Sequence, residues 1–237
     1  MKHTEKSAIL LIYTGGTIGM KEDPVVQALR PFDFSQILEE VPELGKFAYR
    51  VDSYTFDPLI DSSDVEPSLW KTLAALIEER YDDYDGFVIL HGTDTMSYTA
   101  SALSFILSGL DKPVVLTGSQ IPLSEIRSDG RDNLITSVMI AAEGVACEVC
   151  LYFSGKLLRG NRAMKMSADG LVAFDSPNYP HLAEVGISVR YNKAALLQSQ
   201  GKERGIKFLP FSEVPIGVLK VFPGIQFGLF ETIMTEK

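Results

Sequence analysis

Short apolar runs alternate with amphipathic stretches along most of this chain. Short runs of β-branched, aliphatic and aromatic residues occupy 8–13, 49–55, 86–90, 113–117 and 149–153, and their length and flanking turn residues predict β-strands. Helix candidates lie between them. In 68–80, Leu69, Leu73, Leu76 and Ile77 recur at i, i+4, i+7 and i+8, one face of an α-helix. The stretch 97–108 is apolar nearly all round through Ala102, Leu103, Phe105, Ile106 and Leu107, which predicts a deeply packed helix. A third, 129–143, presents Leu134, Ile135, Val138 and Ala142 on one side, with Ser128 as its candidate cap.

The strands FVIL and PVVL carry no polar alternation, as expected of a parallel sheet covered on both faces. Repeated strand–helix–strand order then predicts an α/β fold, a doubly wound and mainly parallel sheet with right-handed crossovers. In such folds chemistry sits beyond the carboxyl ends of the strands. From about Leu196 the texture changes. The polar segment QSQGKERG at 198–205 predicts a linker, 216–222 a strand and the apolar stretch 224–234 a helix. The expected organisation is one large domain over 1–197, a linker over 198–212, and 213–237 as the start of a second, smaller α/β domain that is cut short.

The 237 residues carry a formal charge of −9, from 31 acidic against 22 basic side chains, which disfavours nucleic acid and anionic membranes as partners. No apolar run approaches the ~18–20 residues needed to span a bilayer. The run at 8–13 leads straight into a glycine turn with no small-residue cleavage site, so it is expected to be the first core strand of a cytoplasmic protein rather than a leader. Cys147 and Cys150 form a CxxC, but strand alternation would put them on opposite faces. Two unrelated free thiols are expected, in a reducing compartment.

Three strand ends are followed by hydroxyl- and glycine-rich turns: Tyr13-Thr14-Gly15-Gly16-Thr17, His91-Gly92-Thr93-Asp94-Thr95 and Thr117-Gly118-Ser119-Gln120. Paired glycines let the backbone turn tightly and aim amides at a ligand. Each turn taken singly has a plainer explanation: Asp94 and Thr95 would cap the next helix, and Thr14 would satisfy loop amides. Three such turns at neighbouring strand ends are harder to explain that way, because their hydroxyls converge on one cleft. GGTIGM matches neither dinucleotide nor P-loop spacing. A hydroxyl nucleophile needs a base. Of the three histidines, His3 is terminal, His181 lies in a surface turn, and His91 is too near Thr93 in sequence to make a triad. Lys165, in GNRAMK, is a candidate base if partly desolvated, although a solvated surface lysine is the plainer reading of it alone.

The segments YTGGTIGM, GFVILHGTDTMSYTASALSF, TGSQIPLSEIRSDGRDNL and RGNRAMKMSADGLVAF, in that order, resemble bacterial type I L-asparaginases, and the resemblance runs from Ala8 to about Phe222. It implies a Rossmann-like N-terminal catalytic domain that hydrolyses L-asparagine to L-aspartate and ammonia, with no metal or organic cofactor. It places Thr14 as nucleophile and Thr93, Asp94 and Lys165 as a second catalytic group. Gly15, Asp61, Ser62, Ser63 and Ser119, with Thr93 and Asp94, are implied to bind the substrate. It also implies a small-molecule substrate with no nucleic acid or membrane partner, and a homo-oligomer, dimer or tetramer. Glutamine or another amide as substrate, and a non-catalytic amino-acid-binding module, are the alternatives. The chain departs from the family pattern in having no tyrosine or threonine between Lys21 and Pro31, where a lid residue is usual, and in stopping near the start of the second domain, for which weak or absent turnover is expected.

Overall fold

A computed structural model of the chain describes residues 7–23, 28–31, 37–197, 207–209, 212, 214 and 216–231. His3, the expected linker 198–205 and the last residues of the expected terminal helix lie outside them. In chain order the strands are β1 (Ala8–Tyr13), β2 (Met20–Asp23), β3 (Ala28–Pro31), β4 (Arg50–Thr55), β5 (Gly86–Leu90), β6 (Leu107–Ser108), β7 (Val114–Thr117), β8 (Val149–Phe153), β9 (Lys156–Arg159), β10 (Met164–Lys165), β11 (Phe174–Asp175), β12 (Ala183–Val185), β13 (Val189–Tyr191) and β14 (Lys207–Phe208). The helices are α1 (Ile37–Glu40), α2 (Pro67–Arg80), α3 (Met96–Ile106) and α4 (Gly130–Glu143).

One eight-stranded sheet, in the order β13-β12-β9-β8-β7-β5-β1-β4, organises these elements. The pairs β4–β1, β1–β5, β5–β7 and β7–β8 are parallel, and β9, β12 and β13 extend the sheet antiparallel. Side chains alternate between two cores. Leu10, Ile12, Phe87, Ile89, Val114 and Leu116 pack with α2 and α3 on one face. Ile9, Leu11, Val88, Leu90 and Val115 pack on the other, with α4 and with Ile37, Val41 and Leu44. Burial on both faces is why these strands read as unbroken apolar runs.

From β1 the chain moves outward to β4, then turns back across β1 to β5. The order of progression therefore reverses between β1 and β5, and this switch point opens a crevice at the carboxyl ends of those strands. The expectation of right-handed crossovers holds only in part. The steps β4–α2–β5, β5–α3–β7 and β7–α4–β8 all advance in one direction, yet α2 and α3 lie on one face and α4 on the other. The crossover through α4 thus has the opposite hand to its two predecessors, and given the strong right-handed preference it is the left-handed one. The hydrophobic stripe of α4 fits either face equally well, so periodicity cannot reveal the reversal.

Two other expectations are corrected. Helix α3 buries Met96, Ala100, Leu103 and Ile106 but leaves Tyr98 and Phe105 66% and 64% exposed, so it is not enclosed all round, and its expected last turn at Leu107–Ser108 instead pairs as β6 with β14. Residues 216–222 form no strand: their backbone makes no ladder and Ile216, Val218 and Val221 are exposed. Apolar composition alone suggests a strand there, and among the described residues no neighbouring strand pairs with it. In the following stretch Phe227–Phe230 form a 3-10 turn and Glu231 is helical, the last expected helical positions lying outside the described residues. Cys147 precedes β8 rather than lying in it, its thiol donating to the carbonyls of Asp111 and Gly144; both cysteines are free.

Candidate active site

The crevice is built from three turns that touch through their backbones. Beyond β1, Thr14 donates both its amide and its hydroxyl to the Leu90 carbonyl, each at 3.0 Å, and is 2% exposed. Gly15 and Gly16 follow at φ +135° and +91°, conformations that L side chains rarely adopt. A Cβ on Gly15 would strike the Ile60 carbonyl, and one on Gly16 would lie 2.5 Å from the Cα and N of Gly92. Gly92 in turn faces the Ser62 side chain, and Gly118 faces the His91 carbonyl. The first turn, the 60–64 segment, the second turn and the third turn are therefore stacked at contact distance, which side chains at these glycines would prevent.

Segment 60–64 is drawn in by the Ile60 amide bonding the Thr14 carbonyl at 2.8 Å. Asp61 caps the 3-10 turn Ser62–Asp64, accepting from the amide and hydroxyl of Ser63 at 2.9 Å each, and the amide bond in particular holds its carboxyl below the usual range. Ser62 is buried against Gly92, and its carbonyl accepts the Thr95 hydroxyl at 2.6 Å. Thr95 stands at the start of α3 but makes no side-chain cap there, so the capping explanation fails for it.

Beyond β5, the Lys165 ammonium donates to the Thr93 hydroxyl at 2.9 Å and to Asp94 Oδ1 at 2.7 Å. Its side chain is only 18% exposed, which excludes the solvated surface lysine. Asp94 is 63% exposed, and its second oxygen has no protein partner among the described residues. His91 lies beneath this turn. Its Nε2 meets the Thr99 hydroxyl at 2.9 Å, which also receives the Trp70 indole N–H at 3.0 Å, and its Nδ1 meets the Gly92 carbonyl at 2.8 Å. Since the carbonyl only accepts, Nδ1 carries the proton and Nε2 accepts from Thr99. Burial pushes this imidazole down to about 4, so it is neutral and structural, not a base. His181 is half-buried and bonded to Asp175, which pairs with Met164 across the β10–β11 ladder.

In the third turn Ser119 and Gln120 face different neighbours. Ser119 is buried against Gly130 of α4, and its hydroxyl has no partner among the described residues. Gln120, present in the motif but assigned nothing, accepts the Thr93 hydroxyl on Oε1 at 3.0 Å. Of the sites expected from sequence, the structure thus joins Thr93, Asp94 and Lys165 directly, stacks Thr14, Gly15 and Ser62 beside them through backbone contacts, leaves Asp61 and Ser63 bonded to each other at the rim, and turns Ser119 toward α4. No group of three or more His, Cys, Asp or Glu among the described residues is placed to hold a metal ion.

The model of the asparaginase N-terminal region matches residues 8–197. The chain belongs to the asparaginase family. It is 46% identical to L-asparaginase 1 of Escherichia coli strain K12 over 98% of its own length and 68% of that protein's. It superposes with a TM-score of 0.88 on crystalline L-asparaginase I from Vibrio cholerae, at 42% identity, covering 98% of this chain and 69% of that one. It also matches a probable cytoplasmic L-asparaginase from Campylobacter jejuni, with a TM-score of 0.72 and 29% identity over 84% and 61% of the two chains. No helix among its described residues is long and apolar enough to cross a membrane.

Proposed function

We propose that the chain is an L-asparaginase, hydrolysing L-asparagine and water to L-aspartate and ammonia through Thr14. The supporting observation is the contact of Lys165 with Thr93 and Asp94, side chains about seventy residues apart, at the strand ends where Thr14 lies. Thr14 Oγ attacks the side-chain amide carbon as Lys165 gives one ammonium proton to the departing nitrogen and recovers, through Thr93, the proton that Thr14 loses. The C–N bond breaks, ammonia leaves, and an ester on Thr14 remains. Water adds to that ester by the reverse proton path, releasing aspartate and restoring the hydroxyl. At rest the Thr14 hydroxyl is bonded to the Leu90 carbonyl, so it turns away from that acceptor before attack. The free oxygen of Asp94 suits the substrate ammonium, and Ser62 with the amides of the glycine turns suits its carboxylate; Asp61, Ser63 and Gly15 line the same mouth. Glycine-turn amides also serve the oxyanion, each well-placed donor worth about 3–4 kcal/mol.

The working unit is the domain over 1–197, followed by a linker over 198–212 and the start of a second domain over 213–237; the exposed Ile216, Val218 and Leu229 support a surface awaiting cover there. A cytoplasmic location is supported by the two free thiols. A homo-oligomer, dimer or tetramer, is supported by the exposed Tyr98 and Phe105, seven residues apart on one face of α3. Ammonia release from L-asparagine and L-glutamine at low concentration tests the activity, with Thr14→Ala as control. Release from asparagine that Thr14→Ala abolishes is expected. Preference for glutamine would assign a related amidohydrolase, and calorimetric binding of asparagine without ammonia would assign a binding module.

A further inference from the structure

The Thr93–Lys165 contact has a third member. Lys165 offers only protons, so Thr93 Oγ1 accepts from it and directs its own single proton elsewhere. That proton goes to Gln120 Oε1 at 3.0 Å. The orientation of the Gln120 amide is in turn decided by its other end: Nε2 lies 3.0 Å from the Ala168 carbonyl and 3.2 Å from that of Gly170, both of which only accept. Three groups thus have one mutually consistent arrangement, with protons running from Lys165 to Thr93 to Gln120.

The backbone of Gln120 is itself held. The Asp129 carboxylate, just before α4, accepts the amide N–H of Gln120 at 3.0 and 3.1 Å and that of Ile121 at 3.0 Å. Asn133 donates to the Gly118 carbonyl at 3.0 Å from the first turn of α4 and accepts the Ser154 amide. These bonds belong to the reversed-hand crossover, which carries the chain from the end of β7 to the far face of the sheet. The charged groups facing this cluster are Lys165, Asp94, Asp129 and, in the clipped loop, Asp169, which Ser167 bonds at 3.0 Å.

We propose that Gln120 is a positioning residue for the Thr93–Lys165 pair: its amide oxygen fixes where Thr93 points its proton, and its amide nitrogen clips the loop after Lys165 to the end of β7. This rests on the assignment of Thr93 and Lys165 to proton transfer. With its resting proton lodged on Gln120, Thr93 presents a lone pair to the Thr14 hydroxyl without searching rotamers, and turns its own proton to Lys165 only as the nucleophile's proton arrives. The loop bonds hold Lys165 at hydrogen-bond distance, where a 1 Å displacement is costly.

Two substitutions separate the two roles. Gln120→Leu removes acceptor and donors; Gln120→Glu keeps the acceptor for Thr93 but loses the donors to Ala168 and Gly170. Steady-state ammonia release gives kcat and KM, and hydrogen exchange read by mass spectrometry over 164–174 reports the loop whether or not the protein turns over. In Gln120→Leu, kcat is expected to fall about 10–100-fold with KM within about 3-fold, and loop exchange to accelerate. Gln120→Glu is expected to keep more of kcat than the leucine variant while its loop exchanges as fast. A leucine variant with kcat within about 2-fold of the parent, or with unchanged loop exchange, overturns the proposal. If the parent chain itself releases no ammonia from asparagine, the proposed activity fails, and the exchange data then decide the Gln120 clip alone: faster supports it and unchanged overturns it.

Discussion

Replacing Lys165 with methionine is expected to separate activity from stability more sharply than any other change in this crevice. Methionine keeps most of the apolar stem, so packing is nearly preserved. What disappears is the ammonium and its bonds to Thr93 at 2.9 Å and Asp94 at 2.7 Å. Asp94 is 63% exposed, so water resolvates its carboxylate, and a pair of that kind contributes about 0–1 kcal/mol. The melting temperature should therefore shift by no more than about 2–4 °C, given roughly that much per kcal/mol for a chain of this size. A positioned proton-transfer group contributes about 10²–10⁴-fold to rate, or roughly 3–5 kcal/mol of barrier. The variant should thus lose nearly all of kcat while unfolding at almost the parental urea concentration. Lys165→Arg should be nearly as inactive, because guanidinium keeps the charge but does not surrender a proton near neutrality. The assays are ammonia release at saturating asparagine and urea unfolding followed by fluorescence. A kcat loss below about 10-fold with stability intact, or a loss that merely tracks the unfolded fraction, would show that Lys165 is a structural cation and not a proton carrier.

Two further expectations concern the framework. Burial holds His91 at about 4, below the roughly 6.5 of an unfolded chain. The stability its neutral form contributes is therefore complete above about pH 6.5 and drains away as pH falls toward 4, by on the order of 3 kcal/mol. A glutamine side chain does not titrate, so unfolding free energy in His91→Gln should fall less steeply over that window; parallel pH slopes would count against the buried neutral imidazole. Arg159 bonds Glu148 at 2.6 Å, with their side chains 14% and 4% exposed. Arg159→Met should cost about 3–5 kcal/mol in urea unfolding, because it leaves Glu148 buried and uncompensated, and the double change with Glu148→Met should recover most of it. A single-variant cost below about 1 kcal/mol would refute this.

Much of the framework is legible along the chain. Strands β1 and β5 begin and end where their apolar runs do, and α2 starts one residue before its predicted first position, because local periodicity and flanking turn residues act within a few residues of each other. Thr14, Thr93 and Asp94 stand out because glycine-rich turns at strand ends are rare without a reason of close approach, and the family resemblance adds the roles. Phe105 shows the limit: an apolar residue within an apolar helix looks buried, and only its missing neighbours reveal otherwise.

What the order of residues settles is therefore local: which segments extend, which coil, and where the backbone can bend tightly enough to admit a ligand. The spatial choices were made elsewhere. An amphipathic stripe says that α4 must cover something but not which face of the sheet, so the reversed crossover is invisible until the two cores are seen. A glutamine beside a serine carries no sign of which one meets Thr93, and Lys165 stands 72 residues from that threonine. Long-range partners of this kind follow from the packing of whole elements, whose energies no window of sequence contains.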